Sequence, residues 1–441
     1  MRRHIRTQVD VESIADALRE TFSKQEVERV ARECGFVRRL RKLMPCALLL
    51  AFATCLGCGK ADWLADILRA HNKLAKKGLQ YKPFHNQLCK AAFAEWMRRM
   101  LETALFKLTF PVLEAIPGSK LELFDDIVAH DGTSFAVKAK LKKTFPGRFK
   151  KSAPAAIELH VTTSGFCNAP ECIQLAPDKE AEKHFRPEAK DLKGRLLLSD
   201  RALQDKRYFK DLQTAHAYYV IRGTKNIKPT IRAAYDANGT KSRRLRYLVG
   251  KQLSWRRLPR ETVDLDIEWH DRGFIYTGRL VVFYKPARRN TKDYTYLHTN
   301  LDRAVFSVED VGKLYRFRWQ IELLFKEWKQ HANLHRYDTE KENIVEGAIW
   351  ASLLVGVLKR SITHAADLAL GVELSTERAA RSAYLYLHDV IKTLIEGSRR
   401  ALVRVLTDAF EFLASNATRA HPKRDRKKGR LSAGLQPVGA S

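Results

Sequence analysis

Through the first 120 or so residues, apolar positions recur every three to four places, in VESIADALRETF, VERVARECGFVRRLRKLM and CKAAFAEWMRRMLETALFKL. This spacing predicts helices with one buried face. From about residue 121 the pattern shifts to short β-rich runs between turn residues: LFDDIVAHDG, AIELHVTTS, ECIQLA, RLLLSD and AYYVIRG. A helical stretch, KRYFKDLQTAH, separates the last two, so the order strand, helix, strand predicts an α/β layer on a mixed sheet. Residues 224–305 read as a separate β-rich insertion, in which VDLDIEWHD and GFIYTGRLVVFYK alternate in polarity around a turn near Arg272 and Gly273. Helical spacing returns from about 308 to 415, and the polar, basic end HPKRDRKKGRLSAGLQPVGAS reads as disordered.

The longest apolar run, residues 47–56, is about half of what a bilayer span requires, so it is expected to be a buried helix and not a membrane segment. The basic start is followed by an acidic amphipathic stretch instead of an apolar signal core, which argues against secretion and for the cytoplasm. Seven scattered cysteines do not form a disulfide framework. Cys55 and Cys58 make a CxxC, but no second pair follows to complete four zinc ligands.

Charge changes the picture most. Lys and Arg number 80 against 50 Asp and Glu, a net +30 that favours a polyanionic partner, nucleic acid before any other. Two segments concentrate it. FAVKAKLKKTFPGRFKK carries Lys138, Lys140, Lys142, Lys143, Arg148, Lys150 and Lys151 without an acidic residue, which suits a phosphate backbone. KSRRLRYLVGKQLSWRRLPR interleaves Tyr247 and Trp255 with cations, a pattern that allows bases to stack while charges hold phosphates, although sheets also use such aromatics as packing.

The segment VGKLYRFRWQIELLFKEWKQHANL carries two faces. At 3.6 residues per turn, Leu314, Phe317, Ile321, Leu324, Phe325 and Trp328 fall within an arc of about 100° and predict the buried side. Tyr315, Arg318, Glu322 and Lys329 share an adjoining arc of about 60°. Taken alone, Arg318 and Glu322 read as an i,i+4 surface pair. Two further carboxylates alter that reading, because Asp131 follows Ile127, Val128 and Ala129, and Asp200 follows Leu196, Leu197 and Leu198. Both are expected at carboxyl ends of strands, where α/β sheets place ligands, although a lone Asp there is commonly a turn former or helix cap. Three carboxylates suit two divalent cations for in-line displacement at phosphorus, and an all-oxygen set suits Mg²⁺.

At these residues the sequence resembles the DDE transposases of bacterial insertion sequences, of the insertion sequence four family, whose catalytic core is RNase H-like, as in retroviral integrases. The signature Tyr, two residues, Arg, three residues, Glu, six residues, Lys is matched by Tyr315, Arg318, Glu322 and Lys329. HDGTSF with Asp131 and LLLSDRAL with Asp200 and Arg201 look like the two aspartate motifs, except that Ala202 and Leu203 stand where a glycine and an aromatic are usual. The resemblance implies an α/β, RNase H-like core with a β-rich insertion between flanking helical regions. Residues 1–120 would recognise DNA ends, 121–223 and 306–365 would build the core, 224–305 the insertion, 366–415 helices for dimerisation and 416–441 a disordered basic tail. Asp131, Asp200 and Glu322 would bind two Mg²⁺ ions, with Mn²⁺ as a substitute, and Tyr315, Arg318, Lys329 and Arg201 would hold DNA. Trp255, Trp269 and Tyr294 are the candidates for stacking a flipped base in a hairpin route to second-strand cleavage. The implied partners are double-stranded DNA, as terminal inverted repeats and target, and a second copy of the chain, at the nucleoid. The competing readings are an RNase H-like nuclease or resolvase, and a DNA-binding descendant with a decayed centre.

Overall fold

The structure is a computed structural model that describes residues 9–57, 64–76, 78–271, 273–286, 292–332, 334, 337–419 and 434–438. The chain opens with helices α1 (Val11–Phe22), α2 (Lys24–Glu33), α3 (Pro45–Gly57), α4 (Leu64–Ala75), α5 (Tyr81–Leu88) and α6 (Ala91–Leu108). Then come β1 (Leu113–Ala115), β2 (Ile127–Ala136), β3 (Pro146–Phe149), β4 (Ala153–Ser164), β5 (Ala169–Pro177), β6 (Leu196–Ser199), α7 (Lys206–Thr214) and β7 (Tyr218–Gly223). β8 (Thr230–Tyr235), β9 (Val263–Asp271), β10 (Phe274–Pro286) and β11 (Lys292–Thr299) follow. Helices α8 (Val308–Phe317), α9 (Trp319–His331), α10 (Glu342–Leu370), α11 (Thr376–Ser382), α12 (Leu387–Glu396) and α13 (Arg399–Asn416) precede β12 (Leu435–Pro437).

The core is a mixed sheet. Its path runs β3-β4-β2-β6-β7-β11-β10-β9-β8, with β5 also paired to β4. β2 lies antiparallel to β4 and parallel to β6, and β6 is parallel to β7. Alternate residues of these strands feed two cores, one on each face: Ile127, Ala129, Leu196 and Leu198 join the helical side, and Val128 and Leu197 join α7 and the aromatics of β7 to β11. A sheet covered on both faces accounts for the unbroken apolar runs that precede Asp131 and Asp200. This is the α/β core with helical flanks that the sequence implies.

Two expectations change, and the helical flanks are found in contact. The stretch 224–305 is not separate, because β11 pairs antiparallel with β7, from Tyr296 opposite Gly223 to Thr299 opposite Val220, and extends the same sheet. Arg272, at the turn named above, lies outside the described residues, and Gly273 takes a φ of +79°. The two flanking helical regions pack against one another. α10, apolar all round and buried over most of its length, packs on both α6 and α13, and Arg399 of α13 pairs with Asp16 of α1 at 2.7 Å. The tail is ordered at one point: residues 435–437 pair with β1, and Leu435 is fully buried, an apolar anchor that the polar composition around it conceals. Residues 420–433 and 439–441 lie outside the described residues, as does Cys58. α3 is the buried helix expected, and no helix among the described residues is long and apolar enough to cross a membrane.

Candidate active site

Asp131 sits inside β2 and not at its end, at the first position beyond the residues that pair with β6. There the parallel ladder with β6 stops. Asp200 directly follows β6, and its carboxylate accepts a hydrogen bond from the Ala202 N–H at 2.7 Å. Residue 202 contributes only its backbone N–H to that bond, which an alanine supplies as well as a glycine, while Leu203 is buried.

The third carboxylate comes from the helices on one face. The six apolar residues predicted for the buried face, Leu314 to Trp328, are all buried. The helix is interrupted, however: α8 ends at Phe317 and α9 begins at Trp319, with Arg318 at the joint. From this joint the guanidinium reaches two carboxylates, Asp131 at 2.6 Å and Glu322. The pair read as a surface contact from spacing alone is therefore part of a bridge into the sheet. Tyr315 lies beside it, with the Arg318 guanidinium 5.7 Å from its ring centroid. Lys329, a half-buried residue two turns further on, donates to the Ser134 carbonyl of β2 at 3.2 Å, and burial lowers its pKa. Arg201 is exposed beside Asp200.

One residue of the site has no counterpart in the sequence expectations. Glu182 lies in a short turn after β5, and one of its oxygens is within 4.8 Å of oxygens of Asp131 and Asp200. Burial pushes the Asp131 carboxyl up to about 6 despite the opposing Arg318 charge, with Asp200 adding to the rise. Glu182 rises to about 7, through burial and then the negative charges of Asp200, Glu158 and Asp131. Such crowding of half-buried carboxylates is relieved by taking up protons or by a bound cation. The donors are all oxygen, and they fit divalent ions of the magnesium kind. Glu182 carries no sequence signal, since one of two acids in the polar turn EAEKHF resembles any solvated loop residue. Beneath the site, His130 and His160 are buried, and burial holds their pKa values near 3 and 4.

The basic segments divide. In the first, Lys138 pairs with Asp338, Lys140 with Glu340 at 2.8 Å, and Arg148 with Glu158 at 3.1 Å, so part of the charge expected to meet phosphates is balanced within the chain. The second borders a cavity of about 850 Å³ lined by Arg201, Arg222, Arg256 and Arg260 together with Trp255 and Tyr294. The three aromatic candidates differ sharply. Trp269 packs against Phe209, Tyr276 and His298, and the Tyr294 hydroxyl donates to the carbonyls of Leu258 and Pro259. Trp255 is 41% exposed, with the Arg256 guanidinium 5.6 Å from its ring centroid.

Comparison with known proteins places the chain in a family. Residues 122–358 match the family described as Transposase DDE domain. The transposase for insertion sequence element IS231B of Bacillus thuringiensis subsp. berliner is 22% identical over 437 residues, covering 90% of this chain and 89% of the relative. That for IS231C of the same organism is 23% identical over 464 residues, covering 94% and 93%. Among solved structures, the piggyBac transposase synaptic complex with hairpin DNA aligns with 96% of this chain and 90% of its own, at 12% identity and a TM-score of 0.45. The match spans more than half the chain and encloses Asp131, Glu182, Asp200 and Glu322, and this protein belongs to the DDE-domain transposases, enzymes of DNA cleavage and strand transfer.

Proposed function

We propose that this transposase moves an insertion sequence by cut-and-paste transposition, with Asp131, Asp200 and Glu322 as its catalytic carboxylates. The observation that carries the reading is the convergence of Asp131 and Asp200 from neighbouring strands with Glu322 tied to Asp131 through Arg318. DDE-domain transposases use divalent metal ions, and two Mg²⁺ ions, or Mn²⁺ in their place, suit the oxygen donors here. When bound, such ions supply an activated water or 3′-hydroxyl and stabilise the leaving oxygen.

The protein's own groups do the rest. The carboxylates would hold the ions. Arg318, which neutralises Asp131 and Glu322 in the free protein, turns to the phosphate of the strand to be cut once the carboxylates have other partners. Tyr315, Lys329 and Arg201 grip neighbouring phosphates. Trp255 is the aromatic best exposed to stack a flipped base beside the arginines of the cavity. The amino-terminal helices recognise the terminal inverted repeats in double-stranded DNA, and two copies of the chain, paired through the carboxy-terminal helices, bring two ends together at the nucleoid.

A DNA fragment ending in the element's inverted repeats is nicked in Mg²⁺, and Asp200→Ala reduces nicking by at least about 10³-fold, since several kcal/mol of charge stabilisation are removed. DNA binding by the variant persists. Unchanged nicking by Asp200→Ala would overturn the assignment. Products joining the cut 3′-end to a second DNA separate this reading from a nuclease, which releases cut ends alone.

A further inference from the structure

Behind the strand that carries Asp131 lies a second constellation that strand cleavage does not use. Side chains alternate along β2 and β4, and the register sets Gly132 opposite His160 and Ser134 opposite Glu158, so His160 and Glu158 share one face of β4. The His160 side chain is 0% exposed, and neither ring nitrogen has a hydrogen-bond partner. Its plane is fixed by Phe185, stacked at 4.1 Å and 7°. Phe185 closes the same short turn that carries Glu182, so one turn delivers both the ring that clamps the histidine and a carboxylate beside it. A ring nitrogen of His160 and oxygens of Glu158 and Glu182 all lie within 4.8 Å of one another. Gly132 makes room for them, because a Cβ there would stand 2.7 Å from Glu158 Oε1 and 2.8 Å from Glu182 Oε1. Arg148 contacts the outer oxygen of Glu158 at 3.1 Å.

A buried imidazole with both nitrogens unsatisfied is costly unless something occupies the position it faces. We propose that Glu158, His160 and Glu182 form a second cation site, for a first-row transition ion of the zinc class, adjoining the catalytic carboxylates. Imidazole selects such ions over Mg²⁺, whose preference is for oxygen throughout. Glu182 belongs to both groups, so an ion here draws one carboxylate away from Asp131 and Asp200 and lessens the crowding around them. The site stands on its own geometry and does not require Asp131, Asp200 and Glu322 to cut DNA.

The test uses the full chain, stripped of metal and titrated with Zn²⁺ alone, with binding followed by calorimetry and the ion's surroundings by X-ray absorption at the zinc edge. Nitrogen from one imidazole together with oxygen, and no sulfur, is the expected shell. His160→Gln and Glu158→Gln each weaken Zn²⁺ by at least about 100-fold, at or beyond the loss seen on removing an outer-shell partner. Asp200→Ala retains the binding. An all-oxygen or sulfur-containing shell, unchanged affinity in His160→Gln, or loss in Asp200→Ala would overturn the proposal. If the glutamine variants do not fold, the absorption spectrum of the unaltered protein still decides. Nicking assays play no part in this outcome, so its failure and that of the cleavage reading remain distinct.

Discussion

At the scale of single residues, the site sets function against stability. Asp131 and Glu182 hold protons more tightly in the folded chain than in the unfolded one, with folded values of about 6 and about 7 against ordinary carboxylate values near 4. Their contribution to stability is therefore fully present below about pH 4, and it is lost as the pH rises through 6 and 7. Without metal, Asp131→Asn should raise Tm at pH 7.5, and the gain should shrink as the pH falls toward 4, because the unaltered carboxyl is then protonated too. A Tm shift of equal size at both ends of that range would show that burial of the charge is not the cause. This conflict also explains which residues the sequence disclosed. Asp131 and Asp200 follow apolar runs and Glu322 shares a stripe with Arg318, so each leaves a periodic trace. Glu182 reaches the site only because the turn after β5 folds back over Gly132, a long-range contact with no local pattern behind it. Arg318 was legible as a partner of Glu322, but its bond to Asp131 depends on how helix and sheet are stacked.

At the scale of elements, position is transmitted from α10 to α9 and so to Glu322. Two contacts fix the helices: Glu327 and Arg360 form a buried pair at 2.9 Å, and Trp328 lies so close to Gly356 that a Cβ there would stand 2.7 Å from Nε1 and 2.9 Å from Cδ1. Gly356→Ala must therefore push the indole aside, and with it the helix that bears Glu322 and Lys329. Overpacking of this kind typically costs about 1–3 kcal/mol. Thermal unfolding should register that loss, and nicking measured well below Tm should fall as well, since misplaced groups lose catalysis before they lose the fold. A variant with lowered Tm and full nicking would show that α9 is not placed by this contact. The glycine lies in an apolar run that reads only as a buried helix, so its closeness to Trp328 was not visible in the sequence. Strand content was more legible. β2, β4, β6, β7, β9 and β10 each follow an apolar or alternating run, and the two-sided burial of the first group left its mark in unbroken apolar stretches. β11 was missed because KDYTYLHT is largely polar, and it becomes a strand by completing the ladder between β7 and β10.

For the whole molecule, the +30 charge is plain from composition, but its distribution is not, because ion pairs formed across the fold occupy some of the cations. Among the cations that remain available, Arg222 and Arg260 are two exposed ones on the cavity wall that Arg201 also lines. If the cut strand runs from the carboxylates into this cavity, both arginines meet phosphates, and each contact releases condensed counterions. Log affinity for DNA then falls linearly with log salt, by about 0.9 per phosphate neutralised. Arg222→Ala together with Arg260→Ala should lower that slope by about two and weaken binding to all sequences alike, because phosphate contacts carry no base information. Fluorescence anisotropy across a salt series measures both quantities. A slope unchanged by the double substitution places the DNA elsewhere, and the path from Asp200 past Trp255 would then have to be abandoned even if the carboxylates keep their role.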